Sequence, residues 1–172
     1  QAIDEKYDVI MVDAYQDITI PFQMSSVEFF TMVKEHLNEN GVMVVNMNMR
    51  GNNEGNINQY LSDTIASVFD HIVTVDVDGS TNRELYASSN ADMVKTLENN
   101  ANETGHSDLR DMMLHVADTS SVYEAGDYIM TDDKAPVELL GMQVIDQLIQ
   151  GEVAYYKDIF EKDGINGLLE SL

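Results

Sequence analysis

The sequence predicts an α/β protein whose sheet starts with parallel strands and ends in an antiparallel pair. Two short, almost wholly apolar segments, residues 7–13 and 42–47, have the composition of parallel strands covered on both faces. A segment with helical spacing of apolar side chains separates them, which is the order of a strand–helix–strand unit. Two further apolar segments, 71–77 and 84–88, are joined by a short polar stretch that favours an antiparallel hairpin.

The first strand ends in a cluster of polar side chains. The apolar segment Tyr7–Val12 leads directly into Asp13, and Tyr15 and Asp17 follow within four residues. In open α/β sheets, ligands bind at the carboxyl ends of the strands. Asp13 is therefore a candidate site residue, although an aspartate at this position also commonly caps the following turn.

The helix after the first strand has recognisable start and stop signals. Ser25 and Glu28 have the spacing of a capping box, and apolar residues follow at helical spacing. Gly41 is predicted to end this helix as a left-handed C-terminal cap before the second strand.

The remaining elements are predicted mainly from apolar periodicity. Helices are expected at about 56–69, 91–100 and 107–117, and Asp78–Asn82 forms the hairpin turn. Pro136 is expected in the first turn of another helix, and a last helix is expected at about 152–162. We interpret residues 1–172 as a single domain.

Composition excludes several function classes. The formal net charge of −22 argues against nucleic-acid binding through phosphate contacts and favours cationic ligands, although an acidic surface also serves solubility. The chain has no cysteine and no apolar stretch of the roughly 18–20 residues that a membrane helix needs. Its four histidines lack metal-site spacing, and no nucleophile elbow or P-loop is present, so we expect no metal site.

Several segments together resemble the second half of spermidine synthase-like proteins, which have the class I S-adenosylmethionine-dependent methyltransferase fold, a Rossmann-like sheet. The resemblance covers roughly residues 5–145. The matching segments are Tyr7–Asp17, the helix containing Glu28-Phe29-Phe30, the strand Asn40–Asn46, the strand Asn82–Ser88, and Thr131-Asp132-Asp133-Lys134-Ala135-Pro136-Val137, which is similar to the TDD-x-AP segment of bacterial members.

The resemblance implies aminopropyl transfer from decarboxylated S-adenosylmethionine to an amine such as putrescine, as in polyamine biosynthesis. It assigns the catalytic proton acceptor to Asp13 and implies that Tyr15, Asp17, Asp132 and Asp133 bind the cationic substrate. Each has a structural alternative: Tyr15 as packing, Asp17 as a solvated acid, and Asp132 and Asp133 as acids that complement the dipole of the following helix. Asp17 is also one residue further from Asp13 than the family's paired aspartate.

The family binds its nucleotide through a glycine-rich turn that precedes the strand matched by residues 7–13. The ten glycines here include no pair at G-x-G spacing, so we expect no cofactor site in this chain and interpret it as an inactive C-terminal fragment of a cytoplasmic enzyme or of the soluble part of a membrane-fused protein. The exposed edge of the first strand then predicts a homodimer or a strand supplied by a partner. A methyltransferase fragment and a non-catalytic interaction or oligomerisation domain are the alternatives.

Overall fold

A computed structural model describes residues 4–13, 20–47 and 54–171 of the chain. The sheet has the order β1-β2-β4-β3-β5, in which β1 and β2 are parallel and the other pairs are antiparallel. The strands are β1 (Tyr7–Val12), β2 (Leu37–Met47), β3 (His71–Asp76), β4 (Arg83–Ser88) and β5 (Ser121–Val122). The predicted α/β class and the antiparallel hairpin β3–β4 are confirmed.

The helices are α1 (Val27–Glu35), α2 (Ile57–Ala66), α3 (Met93–Glu103), α4 (Ser107–Thr119) and α5 (Val137–Ser171), and a short 3₁₀ turn covers Phe22–Met24. The apolar faces of α1 and α2 pack on one face of the sheet, because their apolar side chains recur at helical spacing. The core between them is hydrophobic, with fully buried side chains that include Phe30, Met43, Val45, Leu61, Ile65 and Leu85.

The opposite face of the sheet is covered only in part. Helices α3 and α4 lie over its centre and leave an open, mainly apolar cavity of about 350 Å³ whose lining includes Val42, Val44, Tyr86 and Leu97. On β1 the side chains of Val9 and Met11 are 55% and 73% exposed. Among the described residues no strand pairs with the outer edge of β1.

The predicted N-terminal capping of α1 is wrong. Ser26, not Ser25, caps α1: its hydroxyl accepts a hydrogen bond from the Phe29 amide at 3.2 Å. The Ser25 hydroxyl instead donates to the Phe22 carbonyl at 2.8 Å, because Ser25 still belongs to the preceding 3₁₀ turn. The Glu28 carboxylate contacts Asp132 rather than completing a capping box.

Gly41 does not cap the helix, because it lies inside β2. The strand begins at Leu37, and an irregularity in the β1–β2 pairing sets Tyr7 opposite Leu37 but Val9 opposite Val42. A Cβ at Gly41 would lie 3.0 Å from the carbonyl oxygens of Tyr7 and Asn38. Close backbone approach, rather than a left-handed turn, therefore accounts for glycine here.

The two predicted C-terminal helices are one. Helix α5 continues from Val137 through Gly151 without a turn, and its backbone leaves helical geometry at Gly164, where φ is 64°. A glycine lowers helix stability by about 1 kcal/mol relative to alanine but does not terminate a helix whose φ stays negative.

The segment between α4 and α5 is fixed to α2 by a buried carboxylate. Asp63 is 1% exposed and accepts hydrogen bonds from the Tyr123 hydroxyl at 2.6 Å, the Gly126 amide at 2.9 Å and the Tyr128 amide at 3.1 Å. The neighbouring Thr64 hydroxyl accepts from the Met130 amide at 2.9 Å. Residues 123–130 therefore have a defined path across α2 toward the segment that contains Asp132.

Candidate functional site

Asp13 lies where the sequence predicts, at the carboxyl end of β1. It follows the last strand residue, Val12, and its side chain is exposed. Parallel pairing with β2 brings Asn46 beside it, and Nδ2 of Asn46 donates a hydrogen bond to Oδ1 of Asp13 at 3.3 Å. The two strand ends therefore form a polar edge above an apolar sheet.

The turn between β3 and β4 adds a second amide to this edge. Nδ2 of Asn82 donates a hydrogen bond to Oδ1 of Asn46 at 3.2 Å. The backbone of Asn82 is itself held, since its amide donates to the Ser80 hydroxyl and its carbonyl accepts from the Val77 amide, both at 3.1 Å. Three side chains from three segments thus form a continuous line from Asn82 through Asn46 to Asp13.

Glu84 is the second carboxylate near this edge. It pairs with Asn46 across the antiparallel β2–β4 ladder and is partly buried. Burial raises the pKa of the Glu84 carboxyl, and the negative charge of Asp13 raises it further. Two carboxylates that repel each other in this way are stabilised when a cation binds between or beside them.

Asp132 contacts the N-terminal residues of α1. It lies in a tight turn in which Thr131 and Lys134 exchange backbone hydrogen bonds at 3.1 and 2.9 Å. Its Oδ1 accepts from the Ser26 hydroxyl at 2.5 Å, and its amide donates to Oε2 of Glu28 at 3.0 Å. Asp132 is thus tied to the N-terminus of α1.

The structure brings together only some of the predicted site residues. Among the described residues, no hydrogen bond joins Asp13 to Asp132 or to Asp133, and the Asp133 side chain is exposed. Because α1 follows β1 and runs back to the start of β2, its N-terminus and the bound Asp132 lie toward the same edge of the sheet as Asp13. Tyr15 and Asp17 lie outside the described residues.

Asn46, Asn82 and Glu84 had no predicted role, although each lies in a segment that carries the resemblance. One signal could have found Asn46: it is the polar residue near the end of the second apolar strand, as Asp13 is at the end of the first. Asn82 and Glu84 could not be found in this way, because their position depends on the antiparallel return of β4 beside β2.

Two other kinds of site are not observed. Within residues 4–13, 20–47 and 54–171, no three His, Asp or Glu side chains are grouped so that they could hold a metal ion. None of the helices in these ranges combines the length and the hydrophobicity that crossing a membrane requires.

Comparison with known proteins identifies the family. The chain is 52% identical over 188 aligned positions to the probable polyamine aminopropyl transferase of Bifidobacterium longum (strain NCC 2705), and the alignment covers 99% of the chain. The chain belongs to the spermidine synthase-like family. It spans 42% of the length of that relative. No protein-family model matches it.

Two solved structures match part of the chain. Human methyltransferase-like protein 13 in complex with SAH is 19% identical, with a TM-score of 0.47 that covers 67% of this chain and 49% of that one. A probable spermidine synthase from Corynebacterium glutamicum is 16% identical, with a TM-score of 0.38 that covers 74% of this chain and 52% of that one. At these scores neither structure adds to the assignment of this spermidine synthase-like chain, which depends on the Bifidobacterium relative.

Proposed function

We propose that the protein carrying this chain transfers an aminopropyl group from decarboxylated S-adenosylmethionine to an amine such as putrescine, with Asp13 as the proton acceptor. The observation that carries the proposal is the exposed Asp13 carboxylate at the carboxyl end of β1, held there by Asn46. The 52% identity to a probable polyamine aminopropyl transferase supports the choice of reaction.

The reaction gives Asp13 a defined task. An ammonium group has no free electron pair, so it must lose a proton before its nitrogen can attack the carbon next to the sulfonium. The nitrogen–carbon bond then forms while the carbon–sulfur bond breaks, and the bonding pair stays on sulfur. The products are methylthioadenosine and the lengthened amine, and the proton is held on the carboxylate.

The geometry of Asp13 suits a base that also holds a cation. The described hydrogen bond from Asn46 reaches Oδ1 of this carboxylate, and we propose that Oδ2 receives the incoming amine. Glu84 adds negative charge close by, and the chain's net charge of −22 favours approach of a diamine. Asp132, at the N-terminus of α1, and the neighbouring Asp133 are proposed to add to this negative electrostatic field.

We propose that this chain by itself does not catalyse the transfer. The resemblance implies that the nucleotide is held by a glycine-rich turn, and none of the ten glycines here forms a G-x-G pair. The 42% of the relative that the chain spans would then supply the amine side of the active site, and the remainder would supply the nucleotide side.

The test uses the complete natural protein that carries this sequence. Incubation with decarboxylated S-adenosylmethionine and putrescine should produce methylthioadenosine and spermidine in equal amounts, quantified by liquid chromatography. Asp13→Asn should abolish the transfer without changing the circular dichroism spectrum, because the amide cannot accept the proton. The matched control is Asp8→Asn, at the opposite end of β1, where Asp8 accepts a hydrogen bond from Asn38.

Two results would contradict the proposal. Undiminished turnover by Asp13→Asn would remove Asp13 from the mechanism. Formation of a methylated product from S-adenosylmethionine, with none from its decarboxylated form, would instead indicate a methyltransferase.

A further inference from the structure

We propose that Asn82 is a positioning residue that acts through Asn46 to fix the orientation of the Asp13 carboxylate. This inference rests on the proposed function, because it assigns Asn82 a part in the same site. Asn82 makes no described hydrogen bond to Asp13 itself, and its side chain reaches the site through Nδ2, which donates to Oδ1 of Asn46.

The Asp13 carboxylate determines which way the side-chain amides of Asn46 and Asn82 are oriented. An ionised carboxylate can only accept hydrogen bonds, so the Asn46 amide must turn Nδ2 toward Asp13. Oδ1 of Asn46 then faces the other way and needs a donor. Asn82 supplies that donor, and the same amide orientation is therefore favoured from both sides.

The backbone makes Asn82 a fixed point. Hydrogen bonds to Ser80 and from Val77 hold its main chain within the β3–β4 turn. Asn46 is held by its pairing with Glu84 in the β2–β4 ladder. Since both amides project from fixed backbone, the line restrains the rotation of the Asp13 side chain, which lies just beyond the end of β1 and is exposed.

The distances fit a site that tightens when substrate binds. At 3.3 and 3.2 Å the two hydrogen bonds lie at the long end of the range for N–H···O contacts or just beyond it. Catalytic hydrogen bonds are often long in the absence of substrate and shorten in the complex. An amine that binds at the second oxygen of Asp13 would draw the carboxylate into one orientation, and the line already favours that orientation.

The experiment compares Asn82→Ala and Asn82→Asp in the complete natural protein that carries this sequence. Asn82→Ala removes the donor. Asn82→Asp supplies an acceptor of the same shape, which should attract Nδ2 of Asn46 and turn Oδ1 of Asn46 toward the Asp13 carboxylate. Thr81→Ala and Thr81→Asp, one exposed residue earlier in the turn, control for side-chain loss and for added charge.

Two readouts are measured on each variant. The first is hydrogen exchange of the Asn46 side-chain amide, followed by ¹⁵N NMR. It reports the hydrogen bonds that link Asn82, Asn46 and Asp13, and it does not require catalysis. The second is the separate kcat and KM for the amine. We expect Asn82→Ala to speed exchange at Asn46 and to lower kcat about tenfold with less than about a twofold change in KM, because misplacing a reacting group slows the chemical step. Asn82→Asp should have a larger effect on kcat.

The outcomes separate this inference from the proposed function. If the wild-type protein transfers no aminopropyl group, the proposed function fails, and the exchange of the Asn46 amide still decides whether Asn82 holds it. Exchange at Asn46 that is unchanged in Asn82→Ala would overturn the inference. Equal losses of kcat in the Thr81 controls would overturn it as well, because the effect would then belong to the turn as a whole.

Discussion

The Tyr123 hydroxyl donates a 2.6 Å hydrogen bond to the carboxylate of Asp63, which is buried on α2 sixty residues earlier in the chain. Burial and this contact raise the pKa of the Tyr123 hydroxyl well above its ordinary value. The pair joins α2 to the segment that leads to Asp132. Loss of the Tyr123–Asp63 hydrogen bond should therefore change the position of Asp132 at the N-terminus of α1.

Replacing Asp63 with alanine should lower the free energy of unfolding by about 3 kcal/mol or more. The change leaves the Tyr123 hydroxyl and the amides of Gly126 and Tyr128 without their acceptor, and each of these part-buried hydrogen bonds contributes about 1 kcal/mol. Asp63→Asn, which keeps one acceptor oxygen, should cost less. Urea unfolding followed by circular dichroism measures both.

Asp127→Ala is the matched control, because Asp127 lies in the same segment and its side chain is exposed. It should change the free energy of unfolding by less than about 0.5 kcal/mol. A similar loss in Asp127→Ala and Asp63→Ala would mean that the carboxylate does not anchor the segment.

Gly126→Ala should destabilise the protein by about 1–3 kcal/mol, the usual cost of overpacking. A Cβ at this position would lie 2.6 Å from Oδ2 of Asp63. The carboxylate cannot move aside without stretching the hydrogen bonds that hold it. By contrast, a Cβ at Gly105 meets nothing within 4 Å, so Gly105→Ala should be neutral or slightly stabilising. Equal melting temperatures for the two variants would contradict this reading.

Glu84→Gln should increase stability at neutral pH, and the gain should disappear in acid. The folded-state pKa of Glu84 is raised above its ordinary value of 4.5, so the folded protein binds this proton more tightly than the unfolded chain does. The stability of the wild type therefore falls as the pH rises from about 4.5 through the raised pKa, relative to a variant that does not titrate there. A series of urea unfolding curves from pH 4 to pH 8 measures the difference.

Two further variants locate the cause of this pH dependence. Asp13→Asn should move the midpoint of the Glu84 titration toward lower pH, because Asp13 supplies the second cause of the shift. Glu103→Gln, on the exposed end of α3, controls for the substitution itself. A difference between Glu84→Gln and wild type that does not vary with pH would contradict the raised pKa.

The outer edge of β1 should promote association of this chain with a second copy. Val9 and Met11 present exposed apolar side chains on β1. The edge of β1 that faces away from β2 is unpaired among the described residues. Sedimentation velocity at rising protein concentration should show a dimer, and 0.5 M salt should strengthen it by screening the net charge of −22.

Met11→Lys should weaken the dimer, since a charge on an edge strand opposes pairing. Val122→Lys on β5 is the matched control, because Val122 is 80% exposed on the strand at the other end of the sheet. A monomer at all concentrations would remove the proposed interface, and equal weakening by both variants would place it elsewhere.

Sequence patterns predicted the elements well where local signals decide. The apolar segment ending at Asp13 and the hairpin around Asp78–Asn82 follow from strand periodicity and turn residues, and the structure has both. The same local rules failed at Ser25, at Gly41 and in the division of α5 into two helices. At Ser25 the preceding turn extended one residue further, and at Gly41 the neighbouring strand set the requirement.

The sequence by itself determined the class of fold, the position of Asp13 at the end of an apolar strand, and the resemblance that implies its role. These depend on residues close together in the chain, whose periodicity and spacing are readable directly. Only the tertiary structure decided which side chains accompany Asp13. Asn46 and Asn82 lie 33 and 69 positions away. Asn46 contacts Asp13 directly and Asn82 contacts Asn46, because β2 lies parallel to β1 while β4 returns antiparallel beside β2. Sheet pairing is a non-local interaction, set by how apolar faces pack rather than by the local sequence of any one strand.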